Sequence, residues 1–194
     1  MRDSKNILDV AELHPDFMGF IFYPKSKRFI GNDFKIPDAL PKQIKRVGVF
    51  VNESLENILF HVKKHFLDYV QLHGDEDYDF CRSLHAKVKI IKVFSVDHSF
   101  DFENTKQFED FSDYFLFDTK TETFGGSGIS FDWSLLQKYS GNIPIFLSGG
   151  LSPDNIYGVN RIKNENLFAL DLNSGVEISP GLKDKNKISD IIKY

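Results

Sequence analysis

The stretches Ile145-Phe146-Leu147-Ser148-Gly149-Gly150 and Phe168-Ala169-Leu170-Asp171-Leu172-Asn173-Ser174-Gly175 decide the fold that this sequence predicts. Each is an apolar run of strand length that ends in small residues, where backbone N–H groups can approach an anion closely. In (β/α)8 barrels a phosphate site often lies between the loops after the last two strands. We therefore expect both turns to bind one phosphate, through Ser148, Gly149, Gly150, Ser174 and Gly175.

Apolar and β-branched runs recur along the whole chain, with amphipathic helical spacing between them. The seven predicted strands are residues 17–23, 46–51, 69–73, 88–94, 114–118, 143–148 and 167–172. Strands that alternate with helical segments indicate a parallel α/β sheet with right-handed crossovers.

The chain opens with a helical segment, residues 3–13, before its first strand. A barrel helix packs on the strand that precedes it, and this helix has none. We therefore predict one (β/α)8 TIM-barrel domain over residues 1–194, with the first strand missing from the chain. An open doubly wound sheet is the alternative.

Composition limits the classes of partner. With 194 residues and 41% hydrophobic content, the chain can bury one substantial core. A net charge of −4 argues against binding to nucleic acid. A membrane segment is not expected, because no stretch is long and apolar enough to cross a bilayer. The one cysteine excludes an internal disulfide, and we expect a cytoplasmic protein.

Asp118 follows a predicted buried strand and precedes a glycine-rich segment, residues 125–128, that includes Gly126. Catalytic groups of parallel barrels lie at that end of the strands, so Asp118 is a catalytic candidate. The alternatives are an aspartate that only begins a turn and a loop that is merely flexible.

Two basic side chains also follow predicted strands. Arg28 could hold an anionic group through a bidentate contact, although a solvated cationic loop is the simpler interpretation. His73 is a candidate substrate contact, with a surface role as the alternative. His61 and His65 lie four residues apart but lack the glutamate of a zincin motif, so we expect no metal site. Cys81, within a helical segment, is interpreted as a buried structural thiol.

Six segments together resemble the phosphoribosylanthranilate isomerase family of tryptophan biosynthesis. They are residues 19–28, 47–52, 70–74, 118–120 with 125–128, 147–151 and 174–177. The resemblance runs from Met1 to the C-terminus in the family's order. It implies a (β/α)8 barrel that converts N-(5'-phosphoribosyl)anthranilate to 1-(2-carboxyphenylamino)-1-deoxyribulose 5-phosphate by an Amadori rearrangement, without a cofactor.

The resemblance also implies a role for each site residue. Asp118 would be the general acid that protonates the furanose ring oxygen, which requires a proton that burial beside an anionic substrate favours. Arg28, His73 and Asp171 would contact the substrate. Gly126 would join the two glycine turns in holding the phosphate, and a short helix after Ser174 would contribute its N-terminal dipole.

The family's general base is a cysteine in a Cys-Gly pair at the end of the first strand, directly ahead of the position of Met1. This sequence has neither residue there, so we expect low isomerase activity from the chain. A non-catalytic protein that binds a phosphate ligand is the alternative. A pentose-phosphate epimerase is disfavoured because metal-binding residues are not evident at the strand ends. The protein could be a monomer or a homodimer.

Overall fold

The computed structural model describes residues 1–120 and 131–193. Strands and helices alternate along the chain. The strands are β1 (Phe17–Ile21), β2 (Lys45–Phe50), β3 (Tyr69–Leu72), β4 (Lys89–Val96), β5 (Tyr114–Thr119), β6 (Ile145–Leu147), β7 (Leu167–Leu170), β8 (Glu177–Ser179) and β9 (Leu182–Lys183). The α-helices are α1 (Ser4–Ala11), α2 (Leu55–His65), α3 (Tyr78–His85) and α4 (Lys185–Ile192).

Strands β1 to β7 form one parallel sheet in which each strand pairs with the next in sequence. The seven predicted strands are confirmed, with bounds that shift by at most two residues. The order never reverses, which excludes the doubly wound alternative, because that fold has a switch point within its sheet.

The sheet curls so that its two edges approach each other. The ring of Phe17, at the start of β1, lies 5.1 Å from Phe146 of β6 and 6.4 Å from Phe168 of β7. An inner cluster contains Val47, Tyr69, Ile91, Val93, Leu116 and Phe146. This is the curled parallel sheet of a TIM-barrel fold, built here from seven strands, and β1 and β7 do not pair with each other in the described residues.

Helices cover the outer face of the sheet. The N-terminal caps of α1, α2 and α3 are Asp3, Ser54 and Asp77, whose side chains accept hydrogen bonds from backbone N–H groups in the first turn. The segments after β4, β5 and β6 are 3₁₀ helices: Phe102–Phe111, Trp133–Lys138 and Ile156–Arg161. Helical segments therefore connect these strands, as expected. The spacing of apolar residues in the sequence did not distinguish 3₁₀ helices from α-helices.

The unpaired helix α1 packs against the C-terminal segment of the chain. The side chain of Asn6 donates to the carbonyl oxygen of Lys183 and accepts from its N–H, both at 2.8 Å. Lys183 belongs to the short antiparallel hairpin of β8 and β9, which the sequence did not predict. These two hydrogen bonds fix α1 beside the last strands. Among the residues described, no helix has both the length and the apolar content that a membrane crossing requires.

Candidate active site

A cavity of about 470 Å³ extends from residues 14–17, at the amino end of β1, to the carboxyl ends of the strands. It is lined by nine of the ten predicted site residues: Arg28, His73, Asp118, Ser148, Gly149, Gly150, Asp171, Ser174 and Gly175. The tenth, Gly126, lies outside the described residues. Residues separated by almost 150 positions in sequence therefore share one site.

The two glycine turns touch each other, and the first also touches the end of β5. Gly149 has φ of +93°, and a Cβ atom there would overlap Thr119 Oγ1. A Cβ atom on Gly175 would overlap the carbonyl oxygen of Leu151. Because backbone approaches backbone this closely, neither position has room for a side chain.

Free N–H groups converge at these turns. The N–H of Ser148 donates to the carbonyl of Phe117 at 2.9 Å and continues the sheet. The next two N–H groups, of Gly149 and Gly150, have no acceptor in the described part of the chain, nor do those of Ser174 and Gly175. Unpaired N–H groups on adjacent turns are suited to bind the oxygens of a phosphate.

The expected helix after Ser174 is a single 3₁₀ turn, Ser174–Val176. Too few peptide dipoles align in one turn to form a significant macrodipole. A short helix does follow Asn173, and a contribution of its dipole to phosphate binding stays a prediction.

His73 and Asp118 face each other across the cavity, with 3.4 Å between Nε2 and Oδ2. Both side chains are 15% exposed. Asp118 Oδ1 accepts a hydrogen bond from the N–H of Thr119 at 2.8 Å. On its other side, the ring of His73 lies 3.2 Å from Gln71 Nε2. His73, for which the sequence left a surface role open, is therefore part of a partly buried polar pair.

Asp171 is the second carboxyl group of the cavity. Its Oδ2 accepts a hydrogen bond from Ser148 Oγ at 3.0 Å. Burial, and next the charge of Asp118, raise the pKa of Asp171 above its usual range. The surroundings of Asp171 therefore favour its protonated form.

Two charged residues of the site were not singled out from sequence. Arg28 pairs with Glu177 of β8 at 2.7 Å, and Lys183 of β9 pairs with the same carboxylate at 3.2 Å. All three side chains are at most 11% exposed. The one sequence signal for this hairpin is the turn dipeptide Pro180-Gly181, in which Gly181 has φ of +87°.

Cys81 and the histidines of α2 lie away from the cavity. Cys81 is buried on α3, and burial raises the pKa of its thiol to about 11, as expected for a structural cysteine. The rings of His61 and His65 stack on α2, with centroids 5.6 Å apart. Within residues 1–120 and 131–193, no three histidine, cysteine or acidic side chains are arranged to hold a metal ion.

Comparisons with known proteins agree with this geometry. A family model described as N-(5'phosphoribosyl)anthranilate (PRA) isomerase matches residues 1–194. A relative of that name from Parabacteroides distasonis is 42% identical over 197 residues, which cover 100% of this chain and 89% of the relative.

Solved structures show the same likeness. The crystal structure of phosphoribosyl anthranilate isomerase from Thermotoga maritima superposes with a TM-score of 0.86 at 39% identity, covering 100% of this chain and 94% of that one. A complex of such an isomerase with reduced 1-(o-carboxyphenylamino)-1-deoxyribulose 5-phosphate has a TM-score of 0.83 at 36% identity, covering 100% and 93%. The chain therefore belongs to the N-(5'-phosphoribosyl)anthranilate isomerase family.

Proposed function

We propose that this chain acts on N-(5'-phosphoribosyl)anthranilate and forms 1-(2-carboxyphenylamino)-1-deoxyribulose 5-phosphate, a step of tryptophan biosynthesis. The observation that supports this best is the single cavity that holds Asp118, Arg28 and both glycine turns. The proposed substrate carries two anionic groups, a phosphate and a carboxylate, and the cavity offers two places for anions.

The turns after β6 and β7 bind the 5'-phosphate. Four N–H groups without acceptors in the described chain lie on these touching turns, at Gly149, Gly150, Ser174 and Gly175. The hydroxyl groups of Ser148 and Ser174 line the same cavity. A phosphate held there fixes one end of the substrate and leaves its ring directed toward the aspartates.

Asp118 is the general acid of the first step. Its proton goes to the furanose ring oxygen, the bond from that oxygen to C1' breaks, and the nitrogen lone pair forms the C1'=N bond of a Schiff base. Loss of the C2' proton then gives the enolamine, which tautomerises to the ketone. His73 holds the carboxyl group of Asp118 in the cavity, and a protonated Asp171 donates to a sugar hydroxyl.

The group that removes the C2' proton is the second requirement of this reaction. Cys81 does not fit the role, because it is buried on α3 outside the cavity and its pKa is raised to about 11. The expectation of low activity, drawn from the absent Cys-Gly pair, stays a prediction. General-base catalysis contributes a factor of about 10² to 10⁴ to the rate of a reaction, so the presence or absence of the base can be measured in turnover.

Steady-state turnover tests both parts of this proposal. The chain is compared with an extended form that carries an added N-terminal strand ending in Cys-Gly. Turnover of N-(5'-phosphoribosyl)anthranilate by either form supports the isomerase assignment, and the ratio of the two rates measures what the added strand supplies. Equal rates would contradict the prediction of low activity, and no turnover by the extended form would contradict the isomerase assignment.

A non-catalytic protein that binds the same phosphate ligand is the second candidate, favoured by the absence of a thiol from the described cavity. Complementation of a tryptophan auxotroph that lacks the isomerase separates the two. Rescue of growth supports the enzyme, whereas binding of the reduced product analogue without rescue supports the binding protein. A cytoplasmic location and a monomeric or homodimeric state stay predictions.

A further inference from the structure

Arg28 contacts Glu177 through one edge of its guanidinium group. Nε donates to both carboxylate oxygens, at 3.0 and 2.9 Å, and Nη2 donates to Oε2 at 2.7 Å. No acceptor for Nη1 lies among residues 1–120 and 131–193, and Arg28 lines the cavity. One edge of the guanidinium is therefore occupied by protein, and the other is open to a ligand.

Glu177 is itself fixed by contacts that do not involve Arg28. Its Oε1 accepts hydrogen bonds from the N–H of Gly181 at 2.9 Å and from Lys183 Nζ at 3.2 Å. Burial acts to raise the pKa of Glu177, but the hydrogen bonds of Arg28 and the charge of Lys183 lower it overall. The carboxylate is thus ionised and immobile. A group that orients a cation needs both properties.

Lys183 joins this carboxylate to one of the two phosphate turns. Its Nζ donates to the carbonyl oxygen of Asn173 at 2.9 Å and to Asn173 Oδ1 at 2.7 Å, directly before Ser174. The backbone of Lys183 is held by Asn6 of α1. Arg28 and the turn at Ser174 are therefore attached to the same hairpin, which fixes the distance between them.

We propose that Glu177 is a positioning residue that holds the guanidinium of Arg28 with its Nη1 edge toward the substrate's carboxylate, at a fixed distance from the phosphate turns. The proposal rests on the proposed function. It explains why a cation lies buried against a glutamate instead of extending into solvent. Three hydrogen bonds to Glu177 already restrict the Arg28 side chain before a ligand binds. Binding therefore costs less side-chain entropy at Arg28.

A purely structural ion pair and a positioning pair differ in what they do to ligand recognition. A structural pair affects every ligand equally, through the stability of the hairpin. A positioning pair affects ligands that carry a carboxylate and leaves ligands without one almost unchanged. The comparison of two matched ligands therefore separates the two roles.

The experiment measures binding by calorimetry to the chain and to its Glu177→Gln variant. The probes are reduced 1-(o-carboxyphenylamino)-1-deoxyribulose 5-phosphate, its analogue without the carboxylate, and inorganic phosphate. Loss of a charged hydrogen-bond partner predicts about tenfold to 100-fold weaker binding of the carboxylated probe, with little change for the others. Glu12→Gln, at an exposed pair with Lys185, is the matched control and should bind all probes normally.

A double-mutant cycle with Arg28→Lys checks that Glu177 acts through Arg28. In the lysine background, Glu177→Gln should cost little further affinity for the carboxylated probe. Equal weakening for all probes, or full additivity of the two substitutions, would overturn the proposal. If the unaltered chain binds the carboxylated probe and its analogue without the carboxylate equally well, the role of Arg28 in the proposed function is wrong instead. If it binds neither of these two probes, the proposed phosphate site is wrong.

Discussion

His73 Nε2 lies 3.4 Å from Asp118 Oδ2, so the carboxyl group proposed as the acid is held by an imidazole. Gln71 Nε2, an amide donor, lies 3.2 Å from the other ring nitrogen of His73. When the amide donates to Nδ1, the neutral ring carries its hydrogen on Nε2 and donates it to Asp118. Gln71 of β3 and His73, which directly follows that strand, thereby set the orientation of the Asp118 carboxyl group.

Replacement of Asp118 by asparagine should abolish proton donation and preserve the shape of the site. We expect turnover by the Cys-Gly extended form to fall by at least about 100-fold, because an amide is not a proton donor of comparable acidity. Affinity for the reduced product analogue should change much less, since the phosphate turns are untouched. Parallel loss of affinity and turnover would indicate instead that Asp118 mainly binds substrate.

Addition of one methyl group at Gly175 should disrupt the phosphate turns. The Cβ of an alanine would overlap the carbonyl oxygen of Leu151, so the turns after β6 and β7 must move apart. Overpacking of this kind costs about 1–3 kcal/mol, and we expect a loss of affinity for inorganic phosphate of similar size.

Gly158→Ala is the matched control for that substitution. A Cβ there would meet the ring of Trp133 at 3.4 Å, an ordinary contact distance. Its phosphate affinity, measured by calorimetry under the same conditions, should equal that of the unaltered chain. A Gly175→Ala variant that bound phosphate equally well would show that the turn after β7 does not hold the anion.

Much of the site could be predicted because it lies at strand ends. Apolar runs locate the strands, and parallel strands bring their carboxyl ends together, so Asp118 and Asp171 meet in any curled arrangement of these runs. The pairing of Arg28 with Glu177 could not be predicted, because β8 has three residues and shows no alternation. Long-range charge pairs leave no periodic signal in a single sequence.

A buried ion pair, Lys92 with Glu76, should be important for stability. Lys92 Nζ lies 3.3 Å from Glu76 Oε2, and both side chains are at most 4% exposed. Glu76 also accepts hydrogen bonds from the N–H groups of Asn52 and Gly74, at 2.7 and 2.9 Å. Glu76→Gln leaves the ammonium without a counter-charge, so unfolding free energy should fall by about 3–5 kcal/mol.

Two comparisons test that prediction by urea denaturation. Lys92→Met should cost less than Glu76→Gln, because the carboxylate keeps its two N–H donors and methionine can pack against Phe108. Glu103→Gln, at the exposed pair with Lys106, should change the unfolding free energy by less than about 1 kcal/mol. Equal effects of the buried and the exposed glutamine substitutions would contradict the prediction.

The stacked histidines of α2 should make stability depend on pH. Burial, and next the charges of His61 and Lys64, lower the pKa of His65 from 6.5 to about 4. The native state therefore favours the neutral ring, which packs against Phe22 at a centroid distance of 5.1 Å. Its stabilising effect is complete above about pH 6.5 and is lost as pH falls from there toward about 4, because the unfolded chain binds the proton first.

The measurement is the unfolding free energy at about pH 7.5 and about pH 5, for the chain and for His65→Leu. The loss of stability between these two conditions should be smaller in the leucine variant, since one proton-binding group of the unfolded state is gone. His98→Gln removes an exposed histidine and should leave the difference unchanged. Identical pH dependence in the chain and His65→Leu would mean that His65 binds its proton equally in both states, so that its burial against Phe22 has no electrostatic cost.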